Sequence, residues 1–135
     1  MPLHVQHARS TMSQLFAIAL GGALGALLRF WGANGVYLLL GRDFPYGTLV
    51  INVFGSLVMG LLFVLLVERS GSAPEWRALL MVGLLGSFTT FSTFSLETLA
   101  LLEGGEVAKA LLNVFLSVLL CLLAVWGGVI VGRQL

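Results

Sequence analysis

The run Gly86-Ser-Phe-Thr-Thr-Phe-Ser-Thr-Phe-Ser-Leu-Glu97 decides how the rest of the chain is read. Between Thr89 and Ser95 five of seven side chains are hydroxyls, and the other two are Phe91 and Phe94. The run lies within an apolar segment, about Trp76 to Leu102, long enough for a membrane span of about 20 residues. Lipid offers no water to such groups, so a polar run at that depth needs protein or ligand partners. Gly83, Gly86 and the β-branched threonines weaken a helix here, and Ser or Thr can bond back to a carbonyl four residues earlier. The run therefore predicts a third helix broken over Gly86–Thr89, with freed backbone carbonyls at bilayer depth. A cation held by those carbonyl oxygens is one way to satisfy them. Beyond the break, helical spacing puts Thr90, Phe94 and Glu97 on one stripe and Phe91, Ser95 and Thr98 on another.

Outward from this run the chain is equally apolar. Of its 135 residues, 59% are hydrophobic and 10% are charged, where a soluble domain carries about 25% charged residues. Residues 1–11 form a polar, irregular tail in which His4 and His7 have no Cys or acid beside them as metal partners. Residues 12–135 form a single transmembrane domain. Its spans are Met12–Leu40, Gly47–Val67, about Trp76–Leu102 and about Val107–Val131. Gly41 and Pro45 break the first loop, Pro74 opens the third segment, and Glu103-Gly-Gly-Glu106 stops it. The first segment is too long for the apolar core of a signal peptide, about 7–15 residues, and three more spans follow. It reads as one long helix whose weak point is Gly32–Gly35. Gly21/Gly25 and Ser56/Gly60 are small-xxx-small pairs that let helices approach closely. The fold class is all-α, an integral membrane protein with four transmembrane helices.

A net charge of +1 gives no electrostatic case for nucleic acid. One side of the membrane would hold Arg9, Arg69, Arg77 and Arg133; the other would hold Arg42 and Lys109, with Arg29 near it. So weak a bias leaves two readings level: an ordinary single orientation, or insertion both ways up with pairing as an antiparallel dimer. Four spans are few to enclose a pathway, so a homo-oligomer is expected.

Three polar residues stand out beside the central run. Asn52, in the second span, offers two donors and an acceptor, for a helix–helix hydrogen bond or a pathway. Arg29, deep in the first segment, suits a structural role, because a bare guanidinium in a pathway would hold an anion too long. Glu97 would carry the proton of a coupled transporter, or would be hydrated or paired near the end of its helix. Phe91 and Phe94 present either positive ring edges to an anion or negative faces to a cation, or simply pack. There is no nucleophile–base set, no Cys/His metal spacing and no phosphate loop, so enzyme chemistry has no support.

At these residues the sequence resembles the CrcB (Fluc) fluoride channel family. Thr89-Thr-Phe-Ser-Thr-Phe-Ser95 with Glu97 resembles its third-helix signature. Gly22-x-x-Gly25-x-x-x-Arg29 is similar to its first-helix pattern, and Gly47-Thr48-x-x-x-Asn52-x-x-Gly55 to its second. The resemblance implies passive, selective export of fluoride across the bacterial inner membrane by an antiparallel dual-topology homodimer embedded in lipid. It implies Phe91, Phe94 and Asn52 as pore residues, with Thr48, Thr93, Ser117 and Glu97 as polar groups in or near the pore. Arg29 would stand near a vestibule. Backbone carbonyls of Gly86 and Thr89 would hold a structural Na+ that is not transported. Ser87 and Cys121 depart from the family pattern. The competing class is a small proton-coupled multidrug or guanidinium exporter, also of four spans; it is expected to carry its glutamate in the first helix, where this chain has no acid.

Overall fold

The computed structural model describes the backbone of residues 3–69, 71 and 73–135, with side chains from Thr11 onward. Helix α1 (Leu3–Leu40) is followed by α2 (Tyr46–Phe63), which ends in a wide π turn, Val64–Glu68. The third segment opens as α3 (Pro74–Arg77), continues as a π-helix over Ala78–Leu85 and tightens into α4 (Gly86–Phe88). It resumes after a break as α5 (Phe91–Glu103), and α6 (Val107–Gln134) completes the chain. Four apolar stretches, Thr11–Leu40, Tyr46–Glu68, Pro74–Glu103 and Val107–Gln134, are long enough to cross a membrane.

The turn chemistry follows the sequence. Pro74 takes the first helical position, where its missing N–H costs nothing. Gly41 and Gly105 have φ of +80° and +78°, a conformation glycine adopts without penalty. Two expectations change. Helix α1 begins at Leu3 and runs through the polar stretch expected to be irregular; after Pro2 that stretch contains no proline or glycine to stop it. It also continues unbroken past Gly32 and Gly35. The side chains of His4 and His7 lie outside the described residues.

Two glycine-lined seams hold the helices together. A Cβ at Gly21 or Gly25 would collide with the carbonyl oxygens of Leu79 and Leu84, so α1 meets the π-helix at backbone distance. Gly60 of α2 lies against the Val125 carbonyl, and Gly128 of α6 lies against that of Leu57. With lipid on the outside there is little hydrophobic drive between helices, so close van der Waals contact of this kind carries the packing. Ile51, Leu85 and Phe88 form a small buried cluster between the seams. At the chain's end Arg133 grips Glu68 with two hydrogen bonds, Nη2–Oε1 at 2.7 Å and Nε–Oε2 at 3.1 Å, and Arg69 Nη2 donates to the Arg133 carbonyl at 2.8 Å. The pair is solvent-exposed and contributes little. Arg133→Gln is expected to leave the thermal midpoint in detergent unchanged within error.

Candidate functional site

The third segment breaks at Thr89 and Thr90, at the C-terminal edge of the expected stretch. Thr89 (φ −81°, ψ 157°) and Thr90 (φ −152°, ψ 114°) are both extended. An extended residue turns its own N–H and C=O to the same side, so one primary amide can bind both. Asn52 does this: Nδ2 donates to the Thr90 carbonyl at 3.0 Å, and Oδ1 accepts from the Thr90 N–H at 2.8 Å. One amide N–H of Asn52 is left for another acceptor. Three residues on, along the same face of α2, Gly55 gives Thr89 its room; a Cβ there would strike the Thr89 methyl and come within 3.2 Å of the Phe88 ring. The Asn52-x-x-Gly55 spacing thus clamps and seats the break.

Hydroxyls finish both half-helices. Thr89 Oγ1 donates to the Leu85 carbonyl at 2.9 Å and closes α4. Thr90 Oγ1 caps α5, accepting from the Thr93 N–H at 3.2 Å and donating to Thr93 Oγ1 at 3.0 Å. The donors that a continuous helix would bring to the Gly86 and Thr89 carbonyls, the N–H groups of Thr90 and Thr93, are therefore taken by Asn52 and by the Thr90 side chain. These two carbonyls stand outside the helical ladder, and such oxygens are hard donors suited to an alkali cation. Gly86 has space to spare, since a Cβ there would meet only the Met81 carbonyl at 3.6 Å. Ser87 fits because Gly22 of α1 leaves room for its hydroxyl.

Asn52, Thr89, Phe91, Phe94 and Ser117 line one cavity of about 400 Å³, joined by Thr90 and Cys121; none of its lining residues is charged. The rings of Phe91 and Phe94 lie 5.3 Å apart, tilted by 46°. Phe94 is buried at 9% exposure, while Phe91 at 77% projects from the chain. Thr93, Ser92 and Ser95 are exposed on the same half-helix.

Thr48 and Glu97 sit elsewhere, with Tyr37. The Tyr37 hydroxyl donates to Glu97 Oε1 at 2.8 Å, and Thr48, buried at 5% exposure, lies beside it. A second cavity of about 290 Å³ is lined by Tyr37, Arg42 and Glu97. Arg29 is half-buried on α1 and makes no hydrogen bond or ion pair among the described residues.

Two polar residues escaped the reading of the sequence. Asn113, exposed by 1%, is among the most buried side chains of the chain. Its Nδ2 donates to Thr98 Oγ1 at 2.9 Å, its Oδ1 accepts from Ser117 Oγ at 3.4 Å, and Thr98 passes the chain to the Phe94 carbonyl at 2.7 Å. An amide seven residues into a 28-residue, largely apolar helix was the available signal. Tyr37, near the end of α1, gave no comparable signal, because tyrosines near span ends are common as interfacial anchors.

The family described as CrcB-like protein, Camphor Resistance (CrcB), matches residues 16–129. The chain is 64% identical to the Fluoride-specific ion channel FluC of Methylococcus capsulatus over 90% of its own length, and it spans 53% of that relative. It is 51% identical to the FluC of Hydrogenovibrio crunogenus (90% of this chain, 92% of the relative) and to that of Coxiella burnetii (87% and 96%). The matched segment encloses both half-helices, the Asn52 clamp and the glycine seams, and the chain belongs to the CrcB family.

Proposed function

We propose that this multi-pass membrane protein is a fluoride-specific channel that lets fluoride leave a bacterial cell passively across its inner membrane. One observation carries the reading. A helix break clamped by Asn52 opens onto an uncharged cavity, and Phe91 and Phe94 stand on that cavity one turn beyond. A pathway of neutral donors suits an anion that must be held and then released, because a fixed cation would trap it. The unspent Asn52 N–H, the positive edges of the two rings and the nearby hydroxyls of Ser117 and Thr93 supply such donors. Thr48 and Glu97 add polar groups beside the path, and Arg29 lies toward a vestibule.

The pathway is completed by a second copy inserted upside down. The weak charge bias permits both insertions, and α5 turns Phe91 and several hydroxyls outward, where lipid would give the hydroxyls no partner. A Na+ coordinated by the carbonyls of Gly86 and Thr89 would give those oxygens a partner and brace the break, without being transported. The exporter reading loses its ground, since α1 has no acidic residue to carry a proton.

Phe91→Ile and Phe94→Ile are expected to cut fluoride flux about tenfold or more, since a lost ring-edge contact of roughly 1.4 kcal/mol is a factor of ten. Dimer elution should not change. Wild-type flux in either variant would make the rings packing groups only. In cells, expression in a bacterium stripped of its own fluoride export should restore growth in fluoride. Membrane-inserted protein that restores no growth would count against the reading.

A further inference from the structure

The half-helix α5 makes no backbone contact with α1, yet one hydrogen bond crosses the gap between them: Tyr37 Oη to Glu97 Oε1 at 2.8 Å. We infer that Tyr37 is a positioning residue that parks the Glu97 carboxylate away from the anion path; this rests on the fluoride-channel reading above.

Glu97 lies one helical turn beyond Phe94, on the same stripe of α5, so a freely rotating carboxylate can swing toward the Phe91–Phe94 pair. A negative group there would oppose an anion in a low-dielectric setting. Tyr37 ties the carboxylate to α1 instead, beside the cavity of about 290 Å³ that the uncharged 400 Å³ cavity does not include. Glu97 Oε2 is buried and receives no hydrogen bond among the described residues. With that oxygen unpartnered, the hydroxyl bond to Oε1 is the one hydrogen bond that fixes the group among the described residues.

The surroundings of Tyr37 are built to hold it. Gly47 of α2 lies under its ring, where a Cβ would collide with the ring carbons. Arg42 stacks over the other part of the ring, Cζ lying 4.6 Å from the centroid, and its Nη2 donates to Asn34 Oδ1 at 3.2 Å. The ring is thus clamped independently of its hydroxyl. Tyr37→Phe keeps the ring, its seat on Gly47 and the stacked guanidinium; it removes the hydroxyl, and with it the tie to Glu97 and the contact with Thr48, which the Glu97→Gln background separates.

The test is fluoride efflux from liposomes reconstituted with wild type, Tyr37→Phe, Glu97→Gln and the double variant, each checked for dimer elution. Tyr37→Phe is expected to lower flux about five- to tenfold, the effect of a unit charge brought a few ångströms closer at an effective dielectric constant of about 20. Glu97→Gln should conduct, and adding Tyr37→Phe to it should change nothing further, because the charge that needed parking is gone. A loss of packing alone would lower flux equally in both backgrounds, and that result overturns the inference. So does wild-type flux in Tyr37→Phe, or silence in Glu97→Gln, which would place the carboxylate in the path. Wild-type protein that carries no fluoride would instead overturn the channel reading itself.

Discussion

Asn52→Leu is expected to abolish fluoride efflux. Leucine has the same branching and number of heavy side-chain atoms as asparagine, so the substitution chiefly removes the amide's hydrogen-bonding chemistry. Both hydrogen bonds to Thr90 vanish, leaving its N–H and C=O without partners in the membrane interior. Each such orphan costs about 1–3 kcal/mol, so the pair costs roughly 2–6 kcal/mol. The segment can recover part of that by closing Gly86–Thr90 into continuous helix, which turns Phe91 and Phe94 to other faces and returns helical donors to the Gly86 and Thr89 carbonyls. Flux should fall more than about a hundredfold, the equivalent of roughly 2.8 kcal/mol. Asn52→Asp keeps an acceptor for the Thr90 N–H but offers the Thr90 carbonyl no donor and puts a carboxylate on the uncharged cavity, so its flux should fall as far as that of Asn52→Leu. Efflux assays on purified variants reconstituted at matched protein content check both losses. If Asn52→Leu conducts like wild type, the break is held by something other than this amide.

Gly60→Val is expected to destroy assembly rather than conduction. A Cβ at Gly60 would collide with the Val125 carbonyl and approach the Val129 nitrogen to 3.0 Å, and neither backbone group can step aside alone. On the facing helix Gly128 makes the reciprocal approach to Leu57 and Leu61. Valine therefore pushes α2 from α6 along their whole seam, beyond the usual cost of about 1–3 kcal/mol for an overfilled core. Little or no folded protein should be recovered from detergent-solubilised membranes. Gly35→Ala is the control: its Cβ would meet nothing within 4 Å, so yield and thermal midpoint should match wild type. Normal recovery of Gly60→Val would mean that close approach at this seam is not what holds α2 to α6.

These contrasts show what the sequence could and could not reveal. Span number and the loops were legible because apolar length and turn glycines are local signals: Pro74 begins a helix through its fixed φ, and Gly105 takes the positive φ of its turn freely. The break was legible as a weakness over Gly86–Thr89, but its place at Thr89–Thr90 depends on Asn52, 38 residues away. Asn52 itself was visible as a buried amide; that it grips a main chain was not. Asn113 and Tyr37 were missed because their roles exist only through Thr98 and Glu97 on another helix. The π-helix Ala78–Leu85 left no trace in a uniformly apolar stretch. The segment before Met12 misled through polarity, which does not prevent a helix where proline and glycine are absent.

The most direct test is anion efflux from proteoliposomes holding the wild-type protein, read with a fluoride electrode under a potassium diffusion potential. Rapid, voltage-driven fluoride efflux with no matching chloride efflux, and no need of a proton gradient, is the expected result. Efflux that appears only when protons run the opposite way, or none at all from verified dimers in sodium-containing buffer, would contradict it.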